Sequence, residues 1–191
     1  MAQLVEVRWH GRGGQGAKTA GYILAVAAAE QGKQVQAFPE YGAERRGAPM
    51  RSYVRISDAP IRLRCAVRSP EVVIVLDDTL LETEDVTSGL VDGGWVIVNS
   101  SASPAEVKSR MGSPNVRVAT VDATRISLET IGRNIPNTPM LGALARLRPD
   151  LVDLEGAKAA VRATLGGKLS EAVLQSNYQA VDRAYEEVQT E

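Results

Sequence analysis

The pattern of apolar residues predicts a series of short β-strands along the chain. Two continuous apolar runs, at 72–76 and 95–99, are typical of central parallel strands that are covered on both faces. Alternating or mostly apolar stretches predict four further strands, at 4–9, 33–38, 51–56 and 116–121. The stretch at 61–63 is expected to be a short return strand that forms a hairpin with 51–56.

Apolar residues at helical spacing predict helices at 15–31, 104–111, 122–132, 140–147, 153–165 and 169–188. Gly32 is placed to end the first helix, and Gly166 and Gly167 separate the last two. Strands that alternate with helices predict a Rossmann-like α/β fold: a doubly wound, mostly parallel sheet with a small inserted antiparallel hairpin and a helical C-terminal tail. A length of 191 residues without internal repeats predicts a single domain, 1–191.

The stretch between the first strand and the first helix is rich in glycine and predicts an anion-binding turn. Glycine adopts positive φ angles easily, and the free N–H groups and positive dipole of the following helix favour an anion. Gly11, Gly13 and Gly16 match the Gly-x-Gly-x-x-Gly dinucleotide pattern, and Glu40 follows at the end of the second strand, where an acid can hold a ribose. The P-loop pattern fits poorly, because one extra residue separates the last glycine from Lys18. The same glycines are also compatible with a turn that is needed only for strand–helix packing.

Two adjacent arginines, Arg45 and Arg46, mark a second candidate site in the loop at 39–49. Guanidinium groups bind phosphate through paired donors, whereas a solvated or interface loop is the other interpretation. Because ligands of doubly wound sheets bind at the carboxyl ends of the strands, this loop, the glycine loop and Asp77 and Asp78 are expected to converge there. Two electropositive elements around one crevice suit a ligand with several phosphates.

Four other positions have plain structural interpretations. His10, the only histidine, is expected to pack or to donate to the loop backbone rather than to act as a general base. Asp78 is expected to cap a helix that begins just after it, and Thr138 to cap a helix with Pro139 at its first position. Cys65 is expected to be a small buried apolar residue.

Composition narrows the class of protein. Hydrophobic residues make up 44% of the chain and charged residues 24%, and the net charge of −1 excludes a general polyanion-binding surface. The single cysteine cannot form an internal disulfide or hold an iron–sulfur cluster, which usually takes four. The sequence shows no carboxylate pair, metal-ligand spacing or catalytic triad, which predicts a binding subunit rather than a complete enzyme. No signal peptide or membrane-spanning run is visible, so a cytoplasmic protein is expected.

Four ordered motifs resemble the gamma subunit of pyruvate:ferredoxin oxidoreductase, which is the gamma domain of the 2-oxoacid:ferredoxin oxidoreductases. They are His-Gly-Arg-Gly-Gly-Gln-Gly at 10–16, Ala-Phe-Pro-Glu-Tyr-Gly-Ala-Glu-Arg-Arg-Gly-Ala-Pro at 37–49, Ile-Arg-Leu-Arg at 61–64 and Asn-Thr-Pro-Met-Leu-Gly-Ala at 137–143. Together they extend over nearly the whole chain. The second motif is similar to that of the pyruvate or branched-chain members.

The resemblance implies a complex that oxidatively decarboxylates a 2-oxoacid, transfers the acyl group to coenzyme A and reduces ferredoxin. It implies alpha, beta and delta subunits as partners. Thiamine diphosphate is then expected between alpha and beta, with magnesium and the iron–sulfur clusters also on partner subunits. No nucleic acid or membrane is expected as a partner.

For this chain, the resemblance implies a domain that helps to bind coenzyme A and contributes no catalytic residue or metal ligand. Five residues are expected near the diphosphate: Gly13, Gly14, Gln15, Gly16 and Lys18. Arg45 and Arg46 are expected to hold the adenosine 3′-phosphate. Two alternatives stay open, namely a purely structural gamma subunit and a stand-alone NAD(P)-binding protein.

Overall fold

The computed structural model describes residues 4–40, 47–112 and 115–191. Within these ranges the chain forms one seven-stranded sheet and seven helices. The strands are β1 (Leu4–Arg12), β2 (Gln34–Glu40), β3 (Pro49–Ser57), β4 (Val72–Val75), β5 (Trp95–Asn99), β6 (Arg117–Val121) and β7 (Gln189–Thr190). The helices are α1 (Ala17–Glu30), α2 (Leu80–Thr83), α3 (Pro104–Met111), α4 (Ala123–Thr130), α5 (Asn137–Leu147), α6 (Leu154–Leu165) and α7 (Glu171–Glu187).

The strand order is β2-β3-β1-β4-β5-β6-β7. Strands β1, β4, β5 and β6 are parallel, whereas β3 is antiparallel to both β1 and β2, and β7 is antiparallel to β6. The predicted fold class is therefore confirmed: a mostly parallel α/β sheet that carries an antiparallel hairpin and ends in helices.

The partner that the sequence suggested for the hairpin is wrong. The hairpin consists of β2 and β3, and the residues at 60–64 form no strand. The reason is that β3 pairs with β1 along one edge and with β2 along the other. A return strand from 61–63 would find no free edge of β3 to pair with.

Two apolar clusters cover the two faces of the sheet. The larger one packs α1 and α4 to α7 against one face and includes Trp9, Ile74 and Leu141, all buried. The smaller one packs α2 and α3 against the opposite face of β4 to β6 and includes Leu80 and Val107. This three-layer arrangement leaves the carboxyl ends of β1, β4, β5 and β6 at one edge, where the loops meet.

Three local predictions are corrected by the structure. Asp78 caps no helix: Thr79 holds the N-cap position of α2, and the Asp78 carboxylate accepts a hydrogen bond from Ser100 Oγ at 2.9 Å. Thr138 lies inside α5, which begins one residue earlier, at Asn137. Cys65 is exposed, because it lies on an irregular segment outside the core.

Candidate functional site

The glycine loop connects the end of β1 to the start of α1 at the carboxyl edge of the sheet. Gly14 and Gly16 have φ angles of 103° and 83°, in the left-handed region that favours glycine. A Cβ on Gly16 would lie 2.6 Å from Nδ2 of Asn137, whereas a Cβ on Gly14 would have no neighbour within 4 Å. The loop is therefore held tightly against α5 at Gly16 and opens to free space at Gly14.

The loop is also fixed to the segment that leads into β3. The Gly13 N–H donates to the Ala48 carbonyl at 3.0 Å, and the Gly47 N–H donates back to the Gly13 carbonyl at 3.3 Å. The described end of the loop at 39–49 thus lies beside the glycine loop, as topology predicted. Arg45 and Arg46 fall outside the described residues, so their role stays a prediction.

Side chains of the loop close the gap toward β4. Gln15 accepts from the Arg12 N–H at 2.7 Å through Oε1 and donates to Asp77 Oδ2 at 2.7 Å through Nε2. Arg12 Nε lies 3.2 Å from the same Asp77 oxygen, and its Nη2 donates to Thr79 Oγ1 at 2.7 Å. We call this set of four residues, Arg12, Gln15, Asp77 and Thr79, the Asp77 lock. Its contacts are internal, so the side chain of Gln15 is directed at Asp77, and its predicted place at a diphosphate remains untested.

The electrostatics of the lock favour a charged Asp77. Burial on its own raises the pKa of the Asp77 carboxyl, but hydrogen bonds from Thr79 and Gln15 and the charge of Arg12 together outweigh it. The net result is a pKa below the ordinary value of 3.8. Asp77 is therefore ionised at neutral pH and holds the two sides of the lock together.

The N-terminus of α1 differs from those of several other helices. Side-chain oxygens cap α3, α4, α6 and α7, from Ser103, Asp122, Asp153 and Ser170. Helix α1 has Gly16 at its N-cap, no side-chain cap and no acidic residue in its first turn. No carboxylate of its own first turn opposes the positive dipole end, which favours a bound anion, and the nearby Asp77 carboxylate is paired with Arg12.

Lys18 adds a cation next to this helix end. It is exposed in the first turn of α1, at the rim of a groove of about 660 Å³ between α1, the end of β2 and α6. Tyr22, Pro39 and Lys168 line the same groove. The first turn of α1, which follows the glycine loop, therefore borders this groove through Lys18, and the two together are the candidate surface for an anionic ligand.

His10 lies beneath the loop, on the face of the sheet opposite α1. It is 1% exposed and borders a cavity of about 220 Å³ with Glu40, Arg51 and Glu84, and its Nε2 has no partner among the described residues. Burial, and then the charges of Arg8 and Arg51, lower the pKa of His10 from 6.5 to about 3. The imidazole is neutral at physiological pH, and the expected structural role stays a prediction.

Sequence reasoning missed Asn137 as part of the site. This residue is 4% exposed, its Nδ2 donates to the Gly16 carbonyl at 3.5 Å, and its Oδ1 has no partner within the described part of the chain. The motif at 137–143 begins with Asn137, but the same stretch also has the composition of an ordinary helix start, so the sequence did not single this residue out. Only the fold shows that α5 begins against the glycine loop.

Two further features are absent from the described ranges. No group of three or more His, Cys, Asp or Glu side chains is placed there to hold a metal ion. Among the same residues, no helix combines the length and apolar character that a membrane span requires.

Comparison with known proteins places these features in a family. The family described as pyruvate ferredoxin/flavodoxin oxidoreductase matches residues 6–187. The common gamma subunit of pyruvate/ketoisovalerate oxidoreductases from Thermococcus kodakarensis is 49% identical over 182 residues, which make up 95% of this chain and 96% of that subunit. The crystal structure of pyruvate oxidoreductase subunit PORC from Thermotoga maritima matches with a TM-score of 0.87 at 45% identity over 98% of both chains.

The fold is a Rossmann-like α/β domain with a glycine loop and the uncapped helix α1 at the carboxyl edge of its sheet. The chain belongs to the pyruvate ferredoxin/flavodoxin oxidoreductase family, as a gamma-type subunit of such an oxidoreductase, so the resemblance seen in the motifs is confirmed. A more distant likeness is to 2-oxoglutarate:ferredoxin oxidoreductase from Magnetococcus marinus, solved with 2-oxoglutarate, coenzyme A and succinyl-CoA bound. It has a TM-score of 0.74 over 95% of this chain and 30% of that one, and at 22% identity it shows the fold alone.

Proposed function

We propose that this chain binds coenzyme A, in the cytoplasm, as the gamma subunit of a pyruvate or related 2-oxoacid:ferredoxin oxidoreductase. Alpha, beta and delta subunits then carry thiamine diphosphate, magnesium and the iron–sulfur clusters, and ferredoxin takes up the electrons. The role of this chain is to hold the acyl acceptor while its partners carry out decarboxylation and electron transfer.

The observation that carries this proposal is the uncapped N-terminus of α1. Gly14 and Gly16 keep side chains away from the helix end, and the first turn contains no acidic residue. Coenzyme A has a diphosphate that matches such a helix end, where N–H donors and the dipole both favour negative charge. Lys18, in the same turn, supplies a further positive charge.

The arginine pair is proposed to hold the adenosine 3′-phosphate. Support comes from the flanking residues, because Glu40 ends β2 at the carboxyl edge and Gly47 hydrogen-bonds to Gly13. The loop that contains Arg45 and Arg46 therefore leaves and rejoins the described chain next to the glycine loop. A ligand with phosphates at two places suits two such cationic elements.

The test is steady-state kinetics of the assembled complex with coenzyme A as the varied substrate. The double variant Arg45→Gln/Arg46→Gln should lose about 3 kcal/mol of binding, which is roughly a 100-fold rise in KM for coenzyme A. Lys18→Gln should raise the same KM about tenfold. Lys33→Gln, which removes a lysine at the opposite end of α1, is the matched control and should leave it unchanged.

Dephospho-coenzyme A, which lacks the 3′-phosphate, separates the two parts of the proposal. With this substrate the arginine double variant should behave like the wild type, whereas Lys18→Gln should still be impaired. An unchanged KM for coenzyme A in both variants would contradict the site.

The purely structural alternative has one observation in its favour, since the Asp77 lock closes part of the edge with the chain's own side chains. That alternative predicts that Gly14→Asp, which places a carboxylate at the open side of the loop, leaves the KM for coenzyme A as it is. Our proposal predicts a large rise in this KM with the complex still assembled.

A further inference from the structure

A basic segment crosses the sheet face opposite α1, away from the glycine loop. This segment, residues 58–71, connects β3 to β4 without regular structure, and we call it the strap. Its central part, at 61–70, has the sequence Ile-Arg-Leu-Arg-Cys-Ala-Val-Arg-Ser-Pro, with three arginines and no acidic residue. The strap contains the Ile-Arg-Leu-Arg motif, to which the proposed coenzyme A site assigns no role.

The strap is held in a defined extended shape by two side chains of the sheet. Gln36 donates from Nε2 to the carbonyls of Ile61, at 3.3 Å, and Leu63, at 3.1 Å. Arg55 donates from Nη2 to the carbonyls of Cys65, at 2.8 Å, and Ala66, at 3.3 Å. The carbonyls of Ile61, Leu63 and Cys65 thus face the sheet at alternate positions, which is the pattern of an extended backbone, and this alternation ends at Ala66.

Arg55 is itself almost completely buried. It is 1% exposed, and its Nε donates to Glu6 Oε1 at 2.7 Å. A buried guanidinium loses its hydration, so its donors must all be satisfied within the protein. Two of its contacts are to strap carbonyls, which means that the strap and the buried arginine depend on each other.

The far end of the strap is held by a close backbone contact. A Cβ on Gly89 would lie 1.9 Å from the Arg68 carbonyl oxygen, and Gly89 has a φ angle of 72°. Val67 is buried beside it. The strap is therefore fixed at its centre and at its end.

The side chains that the strap presents to solvent are mostly cationic. Arg62, Arg64 and Arg68 are exposed, and none of them forms an ion pair or hydrogen bond through its side chain with another described residue. Arg62 and Arg64 are two residues apart in an extended segment and so lie on the same side of it. Leu63, which separates them in sequence, is 43% exposed and by the same alternation lies on the other side of the segment.

We propose that the strap is a docking surface for an acidic patch on another subunit of the oxidoreductase. Arginine is enriched at protein–protein interfaces and among the residues that contribute most to binding. Fixing the backbone beforehand lowers the entropy lost on association, and unpaired arginines are complementary to carboxylates. The inference rests on the subunit role of the chain and not on coenzyme A binding.

The position of the strap makes the two proposals separable. Ser57, where β3 ends, pairs with Leu4 at the start of β1, and Val72 begins β4 on the same side. The strap therefore leaves and re-enters the sheet at the edge opposite the glycine loop. A change in the strap should affect assembly without affecting the affinity of assembled enzyme for coenzyme A.

The test is co-purification of this chain with an affinity-tagged partner subunit of the complete complex at increasing salt. Arg62→Glu and Arg64→Glu should each weaken retention of the chain about tenfold, and wild-type retention should itself fall as salt rises. Arg133→Glu, an equal charge reversal at an exposed site after α4, is the matched control and should be retained like the wild type. The double variant Arg62→Lys/Arg64→Lys keeps the charge and should be largely retained.

Thermal melting of each purified variant distinguishes a docking defect from misfolding, since solvent-directed side chains should not change Tm. Among molecules that stay assembled, the KM for coenzyme A should equal that of the wild type even if the coenzyme A proposal fails. Wild-type retention of both glutamate variants would overturn the docking surface. The docking surface would also be overturned if the two variants lost no more retention than Arg133→Glu does.

Discussion

The single histidine provides a direct test of how the protein is packed beneath the glycine loop. The pKa of His10 is lowered from 6.5 to about 3, mainly by burial, so the folded state holds the imidazole neutral. Between these values the unfolded chain binds a proton that the folded chain does not, so stability rises with pH in this window and falls as the pH is lowered through it. Lowering the pH from 6.5 to 4 stays inside this window, and at about 1.4 kcal/mol per pH unit it should remove about 3 kcal/mol of stability.

The assay uses the fact that the chain has one histidine, so its ring proton signals in an NMR spectrum need no assignment. These signals should not titrate between pH 8 and about pH 4.5 while the protein remains folded. In parallel, urea unfolding of the wild type should lose stability more steeply between pH 6.5 and 4 than unfolding of His10→Gln, which cannot take up the proton. A ring titration with a midpoint near 6.5 would refute the reasoning, because it would mean that the imidazole is hydrated.

Two further predictions concern the glycine loop and the Asp77 lock. Gly16→Ala should destabilise the protein by roughly 2–5 kcal/mol, because it combines a left-handed alanine with a 2.6 Å contact to Asn137. The control is Gly112→Ala, at φ 62° in open space, which should lower the free energy of unfolding by only about 1–2 kcal/mol. Equal losses of stability for the two variants in urea unfolding would show that the contact with Asn137 adds no cost. Asp77→Asn should lose about 1–2 kcal/mol at pH 7. Because the pKa of Asp77 is lowered, this contribution is present above pH 3.8 and disappears as the pH falls below it, so the wild type and the variant should converge in acid.

The elements that local pattern specifies were predictable from the sequence. The runs at 72–76 and 95–99 became β4 and β5 because a strand covered on both faces has few polar positions. The helix predicted at 104–111 is α3, since Pro104 suits a first helical turn and Gly112 adopts the left-handed conformation that ends it. The glycine loop was also predictable, because its glycines are contiguous in sequence with the strand and the helix that flank it.

What the sequence could not show depends on residues that are distant along the chain. Asp78 is a residue type that often caps helices, but its carboxylate contacts Ser100, on the loop after β5, and Arg110, on α3. Gln15 looks like a ligand-facing loop residue, but its side chain is bound to Asp77, 62 positions away. Pairing of β3 with both β1 and β2 is likewise non-local, and it removed the edge that the expected return strand needed.

The Asp77 lock also argues against the NAD(P)-binding interpretation of the dinucleotide pattern. In a doubly wound sheet a dinucleotide lies across the point where strand order reverses, which here is between β1 and β4. Gln15 and Arg12 bridge this point to Asp77. Glu40, the acid expected to hold a ribose, instead accepts a hydrogen bond from Tyr53 and lies with Arg51 beside the cavity at His10, on the face opposite α1. An NAD(P) molecule would have to break the lock and would lack its ribose partner, whereas a ligand on the α1 side needs neither change. Titration of the isolated chain with NADH should therefore give no change in nicotinamide fluorescence, and saturable enhancement would show that this reasoning about the lock is wrong.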